Sequence, residues 1–197
     1  MTKVVVTNPP WIYRDGLLRK RYGVRAGSRW PGSSTNRNHE YVPYPMFMSY
    51  AVSYLRAKGI EAIFYDAVAE HHQYKDFYKR IDHYRPDIVI QETSTPSFEA
   101  DIRIAEELGK KYEVCLAGPH ASVFAEELIK IPFISYILKG EYEYSSLEMI
   151  TARRKGVYEP QRVLNLDDLP YPYRDKNIVG LYNETCCRKK LSYPQMW

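Results

Sequence analysis

Short continuous apolar runs alternate with helix-period segments along this chain, and no other feature constrains its fold as strongly. "KVVVT" (3–7), "EAIFYDA" (61–67), "DIVIQE" (87–92), "EVCLAG" (113–118) and "SYILKG" (135–140) read as strands. Helical stretches are read at 44–59, 74–84, 97–111, 122–130 and from 143 to about 154. In the first of these, Met46, Phe47, Tyr50, Ala51, Tyr54 and Leu55 recur at helical spacing, and Gly59 suits the position just past a helix end. Pro86 and Pro132 stop two of the others. The strands are solid apolar runs rather than alternating ones, as expected where helices cover both faces of a sheet. Five βα units predict an α/β domain over residues 1–155. Its sheet is expected to be doubly wound, five-stranded and parallel, in the flavodoxin-like (Rossmann-like) order 2-1-3-4-5.

Two segments break the rhythm. Residues 8–43 separate the first strand from its helix, a connection far longer than an ordinary βα loop. Its cations Arg14, Arg19, Lys20, Arg21, Arg25, Arg29 and Arg37 face Asp15 alone within 14–37. Such a segment is either a solvated basic loop or an approach site for phosphate or nucleic acid. Residues 156–197 carry the proline-punctuated stretch "NLDDLPYPYRD" and read as a linker or tail.

At 197 residues the chain suits one domain with extra length, and 45% apolar with 26% charged residues is a globular composition. No apolar run approaches the roughly 18 residues that would cross a membrane. The N-terminal run Val4–Val6 is too short for a signal-peptide core, so a cytoplasmic location is expected. The three cysteines do not form a disulfide framework. Cys115 lies in an apolar strand as a small hydrophobe, and adjacent Cys186 and Cys187 lack metal-site spacing. No metal ligand is predicted.

In open α/β sheets, ligands bind at the carboxyl ends of the strands near the topological switch point. That rule selects Asn8, Pro9, Pro10 and Trp11 after the first strand, and Thr93, Ser94, Thr95, Pro96 and Ser97 after the third. It adds Gly118, Pro119 and His120 after the fourth strand, and Gly140 and Glu141 after the fifth. The turn at 93–97 holds four hydroxyls, more than capping requires. Glycine at 118 and 140 lets a ligand approach the backbone, and helix N-termini point into the same crevice. A polar, phosphate-bearing ligand follows: a flavin mononucleotide, a dinucleotide or a nucleotide-tailed corrinoid. GxGxxG and the P-loop pattern are absent, and "NPP" replaces the acidic pair of a receiver domain.

Several stretches, in order, resemble the N-terminal cobalamin-binding domain of cobalamin-dependent radical SAM proteins. They are "NPPW" (8–11), "SRWP" (28–31), "YVPYPMFMSYAVSYLRAKG" (41–59), "YDAVAE" (65–70), "ETSTPS" (92–97), "AGPHAS" (117–122), "KGEYE" (139–143) and "NLDDLPYPYRD" (165–175). The resemblance implies that the chain binds cobalamin, with its nucleotide tail beside 93–97 and 118–120 and its corrin over the strand ends. It implies a parent enzyme, a methyltransferase or related radical enzyme, whose radical SAM barrel follows in cis after a segment like "YPQMW". That barrel would carry a [4Fe–4S] cluster and S-adenosylmethionine. This chain has no CxxxCxxC, so it binds neither by that route and is not itself expected to be catalytic. DxHxxG is also absent, so cobalt is expected base-off without a histidine from this chain.

Individual residues keep two readings. His120 contacts the corrin or tail, or satisfies a backbone carbonyl. Glu141 and Glu143 contact ribose hydroxyls or amides, or serve as first-turn acids. Asp66 binds the tail or, in the favoured reading, caps the segment after the second strand. Tyr44, Phe47 and Tyr50 flank the corrin, but the helical spacing of Phe47 and Tyr50 favours core packing. Arg29 and Trp30 order the long loop or touch a substrate. Two other function classes stand beside cobalamin binding. One is a docking or scaffold domain without cofactor; the weaker one is a nucleic-acid module using the basic loop 14–37.

Overall fold

Strand β1 (Lys3–Asn8) hydrogen-bonds to a parallel neighbour on each side, β2 (Glu61–Asp66) and β3 (Ile88–Glu92). The sheet continues in parallel through β4 (Glu113–Ala117), β5 (Tyr136–Leu138) and β6 (Gly156–Tyr158), giving the order 2-1-3-4-5-6. This computed structural model describes residues 2–14, 20–23, 34–35, 44–182, 184–186 and 189–191. Arg29, Trp30 and Cys187 lie outside the described residues, as does most of the basic stretch 14–37.

The sheet has six strands rather than five. β6 extends it past the expected boundary at 155, and its three residues Gly-Val-Tyr are too few to stand out as an apolar run. The long connection after β1 also differs from a plain loop. Its described parts, Ile12–Arg14, Lys20–Gly23 and Ser34–Thr35, form a small antiparallel sheet. Gly23 is needed there, because a Cβ would fall within 1.9 Å of the Trp11 ring.

Both faces of the main sheet are covered. Val4 and Val6 point to one face, which helices α1 (Met46–Ala57) and α6 (Glu143–Ala152) cover with Met48, Ala51, Val52, Leu55, Met149 and Ile150. Val5 points to the other. There Phe77 and Ile81 of α2 (Tyr74–Tyr84) and Ile104, Ala105 and Leu108 of α3 (Phe98–Gly109) complete the core. The α2 start is fixed by the Gln73 amide donating to Asp76 Oδ2 at 3.2 Å, and its end by left-handed Arg85 ahead of Pro86.

The helix expected at 122–130 is instead two short ones, α4 (Pro119–Val123) and α5 (Ala125–Leu128). Pro119 starts the first, its fixed φ suiting that position, and Phe124 leaves helical geometry between them. A final short helix, α7 (Lys176–Val179), lies in the tail, and Tyr182 beyond it is buried against the α1 face. No described helix is long and apolar enough to cross a membrane.

Ile90, fully buried in β3, anchors this arrangement. Ile90→Ala is expected to lower unfolding free energy by about 2–5 kcal/mol in urea titrations, while Val123→Ala, exposed on α4, should change it by under ~0.5 kcal/mol.

Candidate functional site

Because every pair in the main sheet is parallel, the carboxyl ends of its strands share one edge, and a cavity of about 410 Å³ opens there. Its walls come from the ends of β3, β4 and β5 and the first turn of α1. They include Glu92, Thr93, Ser94, Gly118, Pro119, Ser122, Gly140, Glu141 and Tyr142, with Pro45 to Met48 opposite.

The close fit of two strand ends shapes the floor. Gly118 has φ +94°, and a Cβ there would lie 2.6 Å from both Glu92 Oε2 and the Thr93 carbonyl oxygen. Ser122 ties two loops together: its hydroxyl donates to the Gly118 carbonyl and accepts from the Gly140 amide, each at 2.9 Å. Tyr142, wholly buried, donates its phenolic hydrogen to Glu92 Oε1. Burial, reinforced by the Glu92 charge, pushes the Tyr142 hydroxyl well above its ordinary range, so it remains a donor. Thr93 is 1% exposed, and its hydroxyl has no hydrogen-bond partner among the described residues. A buried hydroxyl left without a partner is destabilising.

The predicted residues divide into three groups. Thr93, Ser94, Gly118, Pro119, Gly140 and Glu141 line the cavity. Trp11, Thr95 and Pro96 instead line a separate crevice with Tyr13, Tyr74, Tyr78, Glu99 and Arg103. Asn8, Pro9, Pro10, Ser97 and His120 are buried in the strand-end scaffold. Ser97 donates to Asp101 Oδ2 at 2.6 Å and so fixes the start of α3. His120 stacks between Phe98 and Phe124, with Nδ1 3.1 Å from the Thr95 hydroxyl, and burial lowers its pKa.

Asp66 caps the turn after β2: its Oδ1 accepts from the Val68 and Ala69 amides and from Asn8 Nδ2. Its Oδ2 accepts from Tyr182 at 2.8 Å. Burial dominates these contacts and pushes its pKa up to about 6. Phe47 is 54% exposed and lines the cavity, while Tyr44 is buried and Tyr50 half-buried, so only Phe47 departs from the core packing expected of its helical period. Ser122 and Tyr142 were not singled out in the sequence. Their neighbours in "GPHAS" and "GEYE" were the only signal, since neither residue type marks a site by itself.

No protein-family model matches the chain. Over 141 residues it is 29% identical to the anaerobic magnesium-protoporphyrin IX monomethyl ester cyclase of Rubrivivax gelatinosus, a match covering 69% of this chain and 25% of that protein. Its fold superposes with a TM-score of 0.64 on the cobalamin-dependent S-adenosylmethionine radical enzyme OxsB, solved with aqua-cobalamin and S-adenosylmethionine bound. That superposition covers 92% of this chain and 25% of OxsB, at 13% sequence identity. The chain thus spans about a quarter of the length of either protein. Together the matches bear out the resemblance to cobalamin-dependent radical SAM proteins.

Two tests bear on the site's physical basis. Gly118→Ala should lower unfolding free energy by about 2 kcal/mol or more, combining a left-handed residue with a clash. Gly59→Ala, at φ +79° with open space around it, carries only the backbone strain and should lose less.

The second concerns pH. Asp66 has its folded pKa raised, so the folded state binds the extra proton. Its contribution is fully present below about pH 4 and is lost as pH rises through about 6. The loss is of the order of 3 kcal/mol. In urea titrations, the stability of Asp66→Asn relative to wild type should therefore rise between pH 4 and pH 7.5; a constant difference would contradict the assignment.

Proposed function

We propose that this chain is the cobalamin-holding module of a cobalamin-dependent radical SAM enzyme, with the cofactor's nucleotide tail in the cavity at the ends of β3, β4 and β5. The observation that carries this reading is the pairing of Thr93 with Gly118. Thr93, whose buried hydroxyl has no partner among the described residues, lines the cavity, and beside it the backbone lies bare of any Cβ. The lining suits a ligand with both kinds of surface. Met46, Phe47 and Pro119 offer apolar contact for a heterocyclic base, while Thr93, Ser94 and the glycine-rich turns offer hydrogen bonds to a ribose or phosphate.

When bound, cobalamin supplies a cobalt centre capable of group transfer; transfer of a methyl group, or support of a related radical reaction, is the activity proposed for the parent enzyme. The residues of this chain bind and orient the cofactor rather than react. The radical SAM domain in cis, with its [4Fe–4S] cluster and S-adenosylmethionine, belongs to the same proposal.

Base-off binding without a histidine from this chain agrees with the local geometry. His120 is enclosed by Phe98 and Phe124 and engaged with Thr95. After β1 stand Pro9 and Pro10, which stiffen the turn and carry no amide hydrogen.

Anaerobic reconstitution with hydroxocobalamin, followed by desalting and a visible spectrum, tests the proposal. Corrinoid absorption should travel with the folded protein; folded protein eluting without it would contradict the reading. Thr93→Val, which keeps the shape and removes the hydroxyl, should weaken retention about threefold to tenfold in equilibrium dialysis. In the reduced cobalt(II) form, the electron paramagnetic resonance spectrum should be the same for wild type and His120→Ala. Nitrogen splitting that disappears in the variant would make His120 a ligand.

A further inference from the structure

Residues 173–182 run along the α1 side of the sheet beside β2 as a strap, held at two points. At the first, the Tyr44 hydroxyl donates to the Tyr173 carbonyl, and the Tyr173 amide donates to the Ser49 carbonyl at 3.1 Å. The Tyr173 ring packs on Phe64 and lies under the Arg56 guanidinium, 4.2 Å away. At the second, Tyr182 is 1% exposed and sets its ring edge-on to Tyr44, with centroids 4.8 Å apart. Its hydroxyl reaches Asp66 Oδ2 at 2.8 Å, across 116 positions of sequence.

The strap meets the functional edge of the sheet. Tyr44 and Ser49 flank Pro45 to Met48, the α1 wall of the cavity, and the Ser49 hydroxyl donates to the Met46 carbonyl at 2.7 Å. A strap that pins Tyr44 and Ser49 therefore fixes that wall from behind.

We propose that the Tyr182–Asp66 contact is a latch that keeps the strap closed and, through Tyr44 and Tyr173, holds the α1 wall of the cavity in place. The chemistry of the contact makes it conditional. Asp66 is buried and receives three further donors: Asn8 Nδ2 from β1 and the amides of Val68 and Ala69. Among the described residues, the other titratable groups whose fields reach Asp66 or its partners include Tyr44 ahead of α1, Tyr65 within β2, Glu70 acting on Tyr182, and Arg174 and Tyr173 acting on Tyr44. Burial and the Asp66 charge hold the Tyr182 hydroxyl well above its ordinary range, so it stays a donor. The Tyr182 hydroxyl favours the ionised carboxylate. By reciprocity, an ionised Asp66 depends on that hydroxyl more than a protonated one does. The latch does not depend on which ligand the cavity takes.

Amide hydrogen exchange of the full chain, read residue by residue by NMR with Tyr182→Phe as the variant, tests this. Phenylalanine keeps the ring and removes only the donor. At pH 8, protection of the Tyr173 and Ser49 amides should fall together by about tenfold, the loss expected for a hydrogen bond to a charged group. At pH 5, with Asp66 protonated in both proteins, the difference should shrink to under about twofold. The Asp66 carboxyl resonance should titrate at higher pH in the variant than in wild type. An equal loss at both pH values would make Tyr182 a packing residue and overturn the latch. So would unchanged protection at pH 8, or a fall at Ile90 as large as that at Tyr173, which would be global unfolding. A fall at Tyr173 without one at Ser49 would overturn the bracing of the cavity wall.

Discussion

Everything at this site depends on the parallel pairing of β1 with β2 on one side and β3 on the other. Parallel strands cannot be joined by tight hairpins, so each connection leaves the carboxyl edge, crosses a face as a helix and returns to the opposite edge. All the loops that follow strands therefore gather on one rim. There the chain places its glycines with positive φ at 118 and 140, its unpartnered Thr93 hydroxyl and the proline turn after β1. An antiparallel strand anywhere in the middle of the sheet would send its loop to the far edge and divide the cavity.

Within that rim, the described side chains serve mainly to fix the loops. The polar groups are paired mainly with one another: Ser122 with Gly118 and Gly140, Tyr142 with Glu92, and Asp66 with Asn8 and Tyr182. Such pairing fixes loop positions. Cys115 is fully buried and its thiol pushed well above the usual range, so it is no nucleophile. The proposed division of labour, with this chain as holder and a second domain as reactor, agrees with these facts.

The sheet's alternation was legible because buried parallel strands are apolar without interruption, and β1 to β5 each carry such a run. β6 was not, since a three-residue edge strand owes its place to pairing with β5 rather than to composition. The site was legible to the level of loops but not of side chains. "TSTPS" looked uniform in sequence, yet a short 3₁₀ turn over Thr95–Ser97 sends its hydroxyls to different places. The Thr93 hydroxyl is buried, those of Ser94 and Ser97 lie 2.8 Å apart, that of Ser97 also donates to Asp101, and that of Thr95 meets His120 Nδ1. The tail hid more. Tyr182 contacts Asp66 over a separation that no local pattern encodes.

The central claim is that the cavity bounded by Thr93, Gly118 and Gly140 takes the tail of a corrinoid. Amide chemical-shift mapping with hydroxocobalamin tests it most directly. The account predicts that the largest changes fall on Thr93, Ser94, Gly118 and Gly140, with smaller ones along the first turn of α1. Changes concentrated on Trp11, Tyr78 and Arg103 in the neighbouring crevice, or none at saturating cofactor, would contradict it.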